Sequence, residues 1–253
     1  DGDGAVVDGR HVFYTTRKGY VSGAADLADT VKGCFLGQAG DWCTTPAQSI
    51  NYASCHDNMT LLDRITRSTP GVSEEDRIRM NNLSAAIYMT AQGIPFLQAG
   101  EEMLRTKIDA SGGFLENSYN SPDSVNSIKW DTLEDETYQN VYNYYKGLIA
   151  FRKAHAALRL TNADDVNANI TSVDGLDENV LAFRINGGVN GETSDGIFVI
   201  FNPNSTETSV TLPDGAWDVC VNADHAGTEA LTTVSGSVSV EPISAMVLVK
   251  KES

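Results

Sequence analysis

The sequence predicts an α/β portion over residues 1–159 followed by an all-β portion over residues 160–253. Two observations carry this. Before residue 160, candidate strands and helices follow in the order strand, helix, strand, helix, which suits parallel βα units. After it, short alternating runs are separated by turn clusters, the pattern of a small antiparallel β-sandwich.

The elements follow in order. Residues 1–50 are rich in Gly, Asp and Thr and read as loop, with a short helix starting within Asp26–Val31. The opening Asp1-Gly2-Asp3-Gly4 begins like a calcium loop, but Val12 stands where the closing acidic ligand belongs, so the stretch reads as linker. Ser49–Ser54 alternates as a strand would, and Thr60–Arg67 is helical. Ser73 is a good N-cap, with Glu74, Glu75 and Asp76 placed to favour the positive end of the helix. Met80, Leu83, Ile87 and Ala91 repeat at helical spacing, and Gly93 with Pro95 should end the helix. Pro95–Gln98 suits a buried strand. Ala99–Asn126 is a long polar loop, and loops of that length tend to be functional or disordered. Thr137–His155 is the clearest helix, with Tyr138, Val141, Tyr145, Leu148 and Arg152 along one face.

The expected strands of the β portion are Val180–Ile185, Ile197–Phe201, Ser209–Leu212, Trp217–Val221, Val238–Val240 and Ala245–Val249. A complete eight-fold α/β barrel needs about 250 residues. A barrel in residues 1–159 would therefore lack its first half.

Composition removes several classes of function. With 41% apolar and 21% charged residues the chain can build a core and is not a disordered one. Its net charge of −16 repels phosphate backbones, so nucleic acid is a poor partner. No apolar stretch approaches the roughly 18 residues of a membrane span. Cys34, Cys43, Cys55 and Cys220 show no CxxC spacing, which gives a zinc site little support. They read as unpaired thiols, with a Cys34–Cys43 bridge as the alternative in an oxidising compartment. N-x-[ST] sequons at Asn58, Asn82, Asn169 and Asn204 carry little weight, because the motif is common by chance.

Three stretches carry chemistry. His56-Asp57-Asn58 follows the first candidate strand, and strand C-termini form the active face of α/β barrels. A carboxylate beside an imidazole can hold adjacent sugar hydroxyls and stabilise positive charge on a sugar ring. The same triplet also suits an Asx-type turn with His56 merely packed. In Gly93–Lys107, Glu101, Glu102 and Arg105 are expected on the same rim as Asp57, or else in an internal ion-pair network. Asn117–Asn126 mixes amides, a carboxylate and an aromatic, which suits a glucan as well as a solvated loop. Trp42, Trp130 and Trp217 are candidate sugar platforms, although Trp217 alternates with core residues and reads as packing.

Taken in this order, SINYASCHDNMTLLD (Ser49–Asp63), GIPFLQAGEEMLRTK and NSYNSPDSVNSIKW resemble type I pullulanases, of the α-amylase superfamily of glycoside hydrolases. YNYYKGLIAFRKAHAALR and GYVSG (Gly19–Gly23) extend the resemblance, which covers about residues 19–160; the β portion matches only in type. The resemblance implies that residues 1–159 are the C-terminal part of a catalytic (β/α)8 barrel and that residues 160–253 are the β-sandwich domain behind it. It implies cleavage of α-1,6 branch linkages in pullulan, starch or glycogen-type glucans by a retaining mechanism. Asp57 matches the aspartate that stabilises the transition state, and His56 the histidine on the same glucose. Asn58 completes the motif, and Asn117 and Tyr119 resemble loop residues facing the glucan.

The departure lies upstream. Neither the nucleophile nor the acid/base has a counterpart here, and Glu101 and Glu102 follow too late a strand to replace them. A retaining site needs two carboxyl groups about 5 Å apart. The chain is therefore expected to be inactive without an N-terminal half of the same enzyme, its companion beside the α-glucan. Half a barrel would also expose strand edges and apolar core. No cofactor is required by this reading, and calcium is left open for the complete enzyme. The acidic charge favours an extracellular or cell-surface location over a cytoplasmic one. The alternatives are another α-amylase-like starch hydrolase and a non-catalytic glucan-binding fragment.

Overall fold

The computed structural model describes residues 5–7, 10–12 and 16–251. The calcium-loop and linker readings of Asp1–Gly4 lie outside the described residues. Strands β1 (Ala5–Val7) and β2 (Arg10–Val12) pair antiparallel, with Val6 opposite His11, in a stretch read as loop. Helix α1 (Ala28–Phe35) runs further than expected. Its last residue explains why: Phe35 is fully buried, stacked on Phe183 at 3.9 Å between ring centres and edge-on to Phe201 at 5.7 Å.

Strands β3 (Ile50–Asn51) and β4 (Ile94–Pro95) pair in parallel, Ile50 opposite Ile94 and Asn51 opposite Pro95. Parallel neighbours need a long crossover. Here it contains α2 (Leu61–Ser68) and α3 (Glu74–Thr90). The Thr60 hydroxyl caps α2 by accepting from the Asp63 amide at 3.3 Å, and Ser73 caps α3 by accepting from the Asp76 amide at 3.1 Å.

Both strands are shorter than the sequence suggests, and the second is not buried. Ile94 is 47% exposed and Phe96 43%. The pair has one packed face, which carries buried Asn51; Ile50, Tyr52, Ile94 and Phe96 share the other and stand open. Tyr52 and Phe96 meet edge-to-face at 5.9 Å on that open side. This single pair is all the parallel sheet among the described residues.

Side chains fasten the base of the pair. Gly93 has φ 96°, and a Cβ there would stand 2.8 Å from the Ser49 carbonyl, so only glycine fits between the strands. Asn51 Nδ2 donates to the Gln92 carbonyl at 2.5 Å, while the Gln92 side chain donates to Ala157 O and accepts from Leu160 N, both at 2.9 Å. After the one-turn α4 (Asp123–Asn126) comes α5 (Glu136–Ala154). Its Arg152 donates to Met89 O, Ala91 O and Gly93 O at 2.9, 2.7 and 2.8 Å, satisfying carbonyls left over where α3 ends. Burial lowers the Arg152 pKa to about 10.

Helix α6 (Ala163–Asn169) and strand β5 (Ile170–Ser172) follow, neither anticipated. Then come β6 (Leu181–Asn186), β7 (Gly196–Asn202), β8 (Thr208–Thr211), β9 (Trp217–Val221), β10 (Thr232–Val234), β11 (Ser237–Val240) and β12 (Ser244–Lys250). An antiparallel six-stranded sheet has the order β10-β9-β12-β7-β6-β5, and β11-β8 forms a second layer. Phe198, Trp217 and Leu248 face Val210 and Val240 of that layer. Phe183, Val199, Phe201 and Val247 face the other way and share a core with α3 and α5. Strand β7 is buried on both sides, which is why Ile197–Phe201 is a continuous apolar run. At Gly147 in α5, an added Cβ would stand 1.8 Å from the Ala226 carbonyl, so helix and sandwich loop touch backbone to backbone.

Candidate active site

From β3 the chain passes Ser54 and Cys55 and turns at His56-Asp57-Asn58. Asn58 has φ 64°, a left-handed conformation that Asn adopts more readily than most residues. The turn delivers the chain into α2, anchored by buried Met59 and Leu61. His56 Nε2 lies 3.5 Å from Asp57 Oδ2, and the two side chains are 86% and 76% exposed. His56 is thus not packed in the core. The pair presents an acceptor and an imidazole side by side to solvent.

Glu101 does not join this rim. It starts a single 3-10 turn (Glu101–Met103), is 4% exposed and points inward. Its Oε1 accepts from the Ser54 hydroxyl at 2.6 Å and its Oε2 from the Tyr88 hydroxyl at 3.1 Å. Burial raises its pKa, and these hydrogen bonds oppose the rise. Glu102 accepts from the Gly100 amide at 2.9 Å. Arg105 donates to the Ala99 carbonyl at 3.0 Å and to the Asn126 carbonyl. The expected ion-pair network does not form: among the described residues no salt bridge joins Arg105 to either glutamate. Backbone carbonyls take the guanidinium instead.

Asn117 and Tyr119 are exposed on either side of buried Ser118. Ser118 Oγ accepts from Lys107 Nζ at 2.7 Å, and its carbonyl accepts from Asn126 Nδ2 at 2.6 Å. The Lys107 amide donates in turn to Asp63 Oδ2 of α2 at 2.8 Å. Burial raises the pKa of Asp63 and lowers that of Lys107. His56, Asp57 and Asn58 therefore share one turn. Asn117 and Tyr119 are connected to it through Ser118, Lys107 and Asp63, and no hydrogen bond among the described residues joins them to His56 or Asp57 directly. Sequence reading missed Lys107 and Asp63 as ties. Lys107 lies in a long polar loop and Asp63 in a helix that also carries Arg64 and Arg67, so nothing in the sequence singled out either charge.

Trp42 and Trp130 are exposed, whereas Trp217 is buried and donates its indole N–H to the Pro213 carbonyl at 2.9 Å. All four cysteines are free thiols, so Cys34 and Cys43 are not bridged. Among the described residues no group of three or more His, Cys, Asp or Glu is arranged to hold a metal ion. Among the described residues no helix is long and apolar enough to cross a membrane.

A carboxylate–imidazole pair beyond a parallel strand, with an antiparallel sandwich behind it, is an arrangement that a glycoside hydrolase can use. Known proteins narrow that class. Residues 166–225 match the family described as pullulanase, all-beta domain. A pullulanase of Bacillus subtilis (strain 168) is 34% identical over 181 residues, 69% of this chain and 24% of the relative. An isoamylase of a Flavobacterium species is 28% identical over 217 residues, 69% of this chain and 27% of the relative. Among solved structures, a pullulanase from Bacillus acidopullulyticus superposes with a TM-score of 0.88 at 38% identity, over 93% of this chain and 28% of that one. A pullulanase from Paenibacillus barengoltzii, in complex with maltohexaose and α-cyclodextrin, gives 0.84 at 36% identity, over 94% of this chain and 36% of that one. The chain is a pullulanase-type C-terminal fragment, similar over most of its length to part of these enzymes. It spans about a quarter of the length of the curated relatives it matches first.

Proposed function

We propose that this chain supplies the C-terminal part of a retaining glycoside hydrolase that cleaves α-1,6-glucosidic branch linkages in pullulan, starch or glycogen-type glucans. Residues 1–159 contribute to its (β/α)8 barrel and residues 160–253 form its β-sandwich domain. Asp57 stabilises the positive charge that develops on the sugar ring, while His56 and Asn58 hold the same glucose. Asn117 and Tyr119 line the approach. The nucleophile and the acid/base belong to the N-terminal half, which is this chain's protein partner. Complexes of similar pullulanases with maltohexaose and maltotetraose support an α-glucan as the ligand.

One observation carries this reading: Asp57 and His56 stand in water at the end of a parallel strand whose apolar face is uncovered. The magnitudes explain why that matters. A carboxylate 4 Å from a unit charge in bulk water gains about 1 kcal/mol. A thousand-fold rate effect requires about 4 kcal/mol. At 76% exposure Asp57 is too well screened to supply it. Another body must wall off the site, and the open face of β3 and β4 is where that body fits.

The test is reconstitution. The chain alone should not hydrolyse pullulan, and adding a separately produced N-terminal half should restore hydrolysis. In the restored enzyme, Asp57→Asn should lower kcat about 1,000-fold, the size of a lost transition-state contact, and leave maltotriose affinity within a few-fold. Hydrolysis by the chain alone would overturn the proposal. A change confined to affinity would turn the reading to a glucan-binding fragment, and preference for amylose over pullulan to another α-amylase-like hydrolase.

A further inference from the structure

Just ahead of the exposed His56–Asp57 pair in the chain, Ser54 enters a buried polar cluster that the proposed mechanism does not use. Glu101 sits at its centre, with Ser54, Tyr88, Asn81 and Tyr145 around it, every one buried. Asn81 Nδ2 donates to the Tyr145 hydroxyl at 3.0 Å and Tyr88 donates to Glu101, so the carboxylate is held from the helical side by α3. On the opposite side it takes the Ser54 hydroxyl at 2.6 Å, the shortest bond it makes, and the Gln98 amide at 3.4 Å. Ser54 lies two residues before His56 and three before Asp57. Backbone pairing between β3 and β4 has already stopped by then, at Asn51 and Pro95. Between Asn51 and the turn, the Ser54–Glu101 bond is the short link from this segment to the 3-10 turn that follows β4.

Burying a carboxylate is expensive, and a plug of apolar side chains would fill the same space without that penalty. The geometry points to a use for it: we propose that Glu101 is a positioning residue, fixing through Ser54 the turn that presents Asp57 and His56 to the sugar. This rests on the reading of Asp57 given above. The chemistry allows a large effect, because a displacement of about 1 Å at a reacting group can lower a rate about 100-fold.

The experiment is a double-mutant cycle in the complete enzyme, with pullulan as substrate, of Ser54→Ala and Glu101→Leu, which removes the acceptor of the Ser54 hydroxyl. Each single change is expected to lower kcat 10- to 100-fold with KM within two-fold. The double variant should lose no more than the worse single variant, because both cut one tether. Losses that multiply, or a kcat unchanged per folded enzyme while Tm falls, would make Glu101 merely structural and overturn the proposal. If Glu101→Leu does not fold, Ser54→Ala decides alone: a fall in kcat of less than 10-fold refutes the tether, and a 10-fold or larger fall with Tm nearly unchanged supports it. Asp57→Asn runs alongside. If it keeps full activity, the reading of Asp57 fails and takes this inference with it; if it is inactive, the Ser54–Glu101 cycle judges the positioning role separately.

Discussion

Strand β7 exchanges backbone hydrogen bonds with β6 and β12 over six registered pairs each, and both its faces are covered; β3 and β4 share two pairs, and one face is bare. The sandwich sheet is located by its own ladders. The parallel pair is located by side chains reaching from elsewhere: Asn51, Gln92 and Arg152 at its base, Ser54 and Glu101 at its far end. A region built in the second way is complete on one side and open on the other. In this chain the strand with the open side is the one that leads into the Asp57 turn.

Two substitutions test that contrast where the expected effects are largest. Trp217 is fully buried in the sandwich, 5.9 Å from Phe198 between ring centres. Trp217→Ala should destabilise the chain by about 3–5 kcal/mol, measured by urea unfolding, since it removes a large core side chain and leaves a cavity. A loss below about 1 kcal/mol would mean that the ladders alone hold the sandwich. Arg152→Met comes next. It keeps most of the stem but strips three carbonyls of their donor, and at about 1 kcal/mol for each unmet bond the loss should be about 2–3 kcal/mol. The loss should appear as easier unfolding of α3, α5 and the β3–β4 base, seen as faster amide exchange at Gln92 and Ile94.

The same contrast decides what the sequence could reveal. The six sandwich strands expected from alternation all form, because each buries its own pattern against a neighbour. Helices α3 and α5 were legible for a similar reason: Ser73 caps one at its expected position, and the apolar face of the other repeats cleanly. Arg152 stood on that face as a charged residue at a core position, a visible sign of buried partners whose identity only the fold supplies. The parallel strands were over-extended in the reading, since Ser49–Ser54 and Pro95–Gln98 have the composition of paired strands, yet the described residues offer them only each other. Glu101 was misplaced because sequence spacing puts it past the strand end but does not say which way a 3-10 turn aims its side chain. The His56-Asp57-Asn58 turn was legible, and its exposure was not.

Glu101 also makes the contrast visible in pH. Burial raises its pKa above the ordinary 4.5, so the folded chain holds the proton more tightly than the unfolded one. Its contribution to stability is fully present below pH 4.5 and is lost as pH rises through the folded pKa. Unfolding free energies measured across the weakly acidic range should fall with pH in the wild type more steeply than in Glu101→Gln. Asp63, raised from 3.8 for the same reason, adds to the fall in both proteins, while the lowered pKa values of Glu192 and Asp109 oppose it equally in both. Equal slopes in the two proteins would place Glu101 in contact with water.

The smallest expected effect on stability is the most telling for function. Phe96 has as large an apolar side chain as Phe198, but it stands on the open face beside Tyr52. Phe96→Ser should change the unfolding free energy of this chain by no more than about 0.5 kcal/mol, the usual range for a surface site. If the open face receives the other half of a barrel, the same substitution should still weaken reconstitution with the N-terminal half, raising the concentration needed for half-maximal pullulan hydrolysis. The two measurements pull in opposite directions by design. A loss above about 2 kcal/mol in the chain alone would mean that the face is covered from within, since only buried apolar side chains carry that much. The open side would then be no docking surface, and the difference between the two regions would be one of length alone.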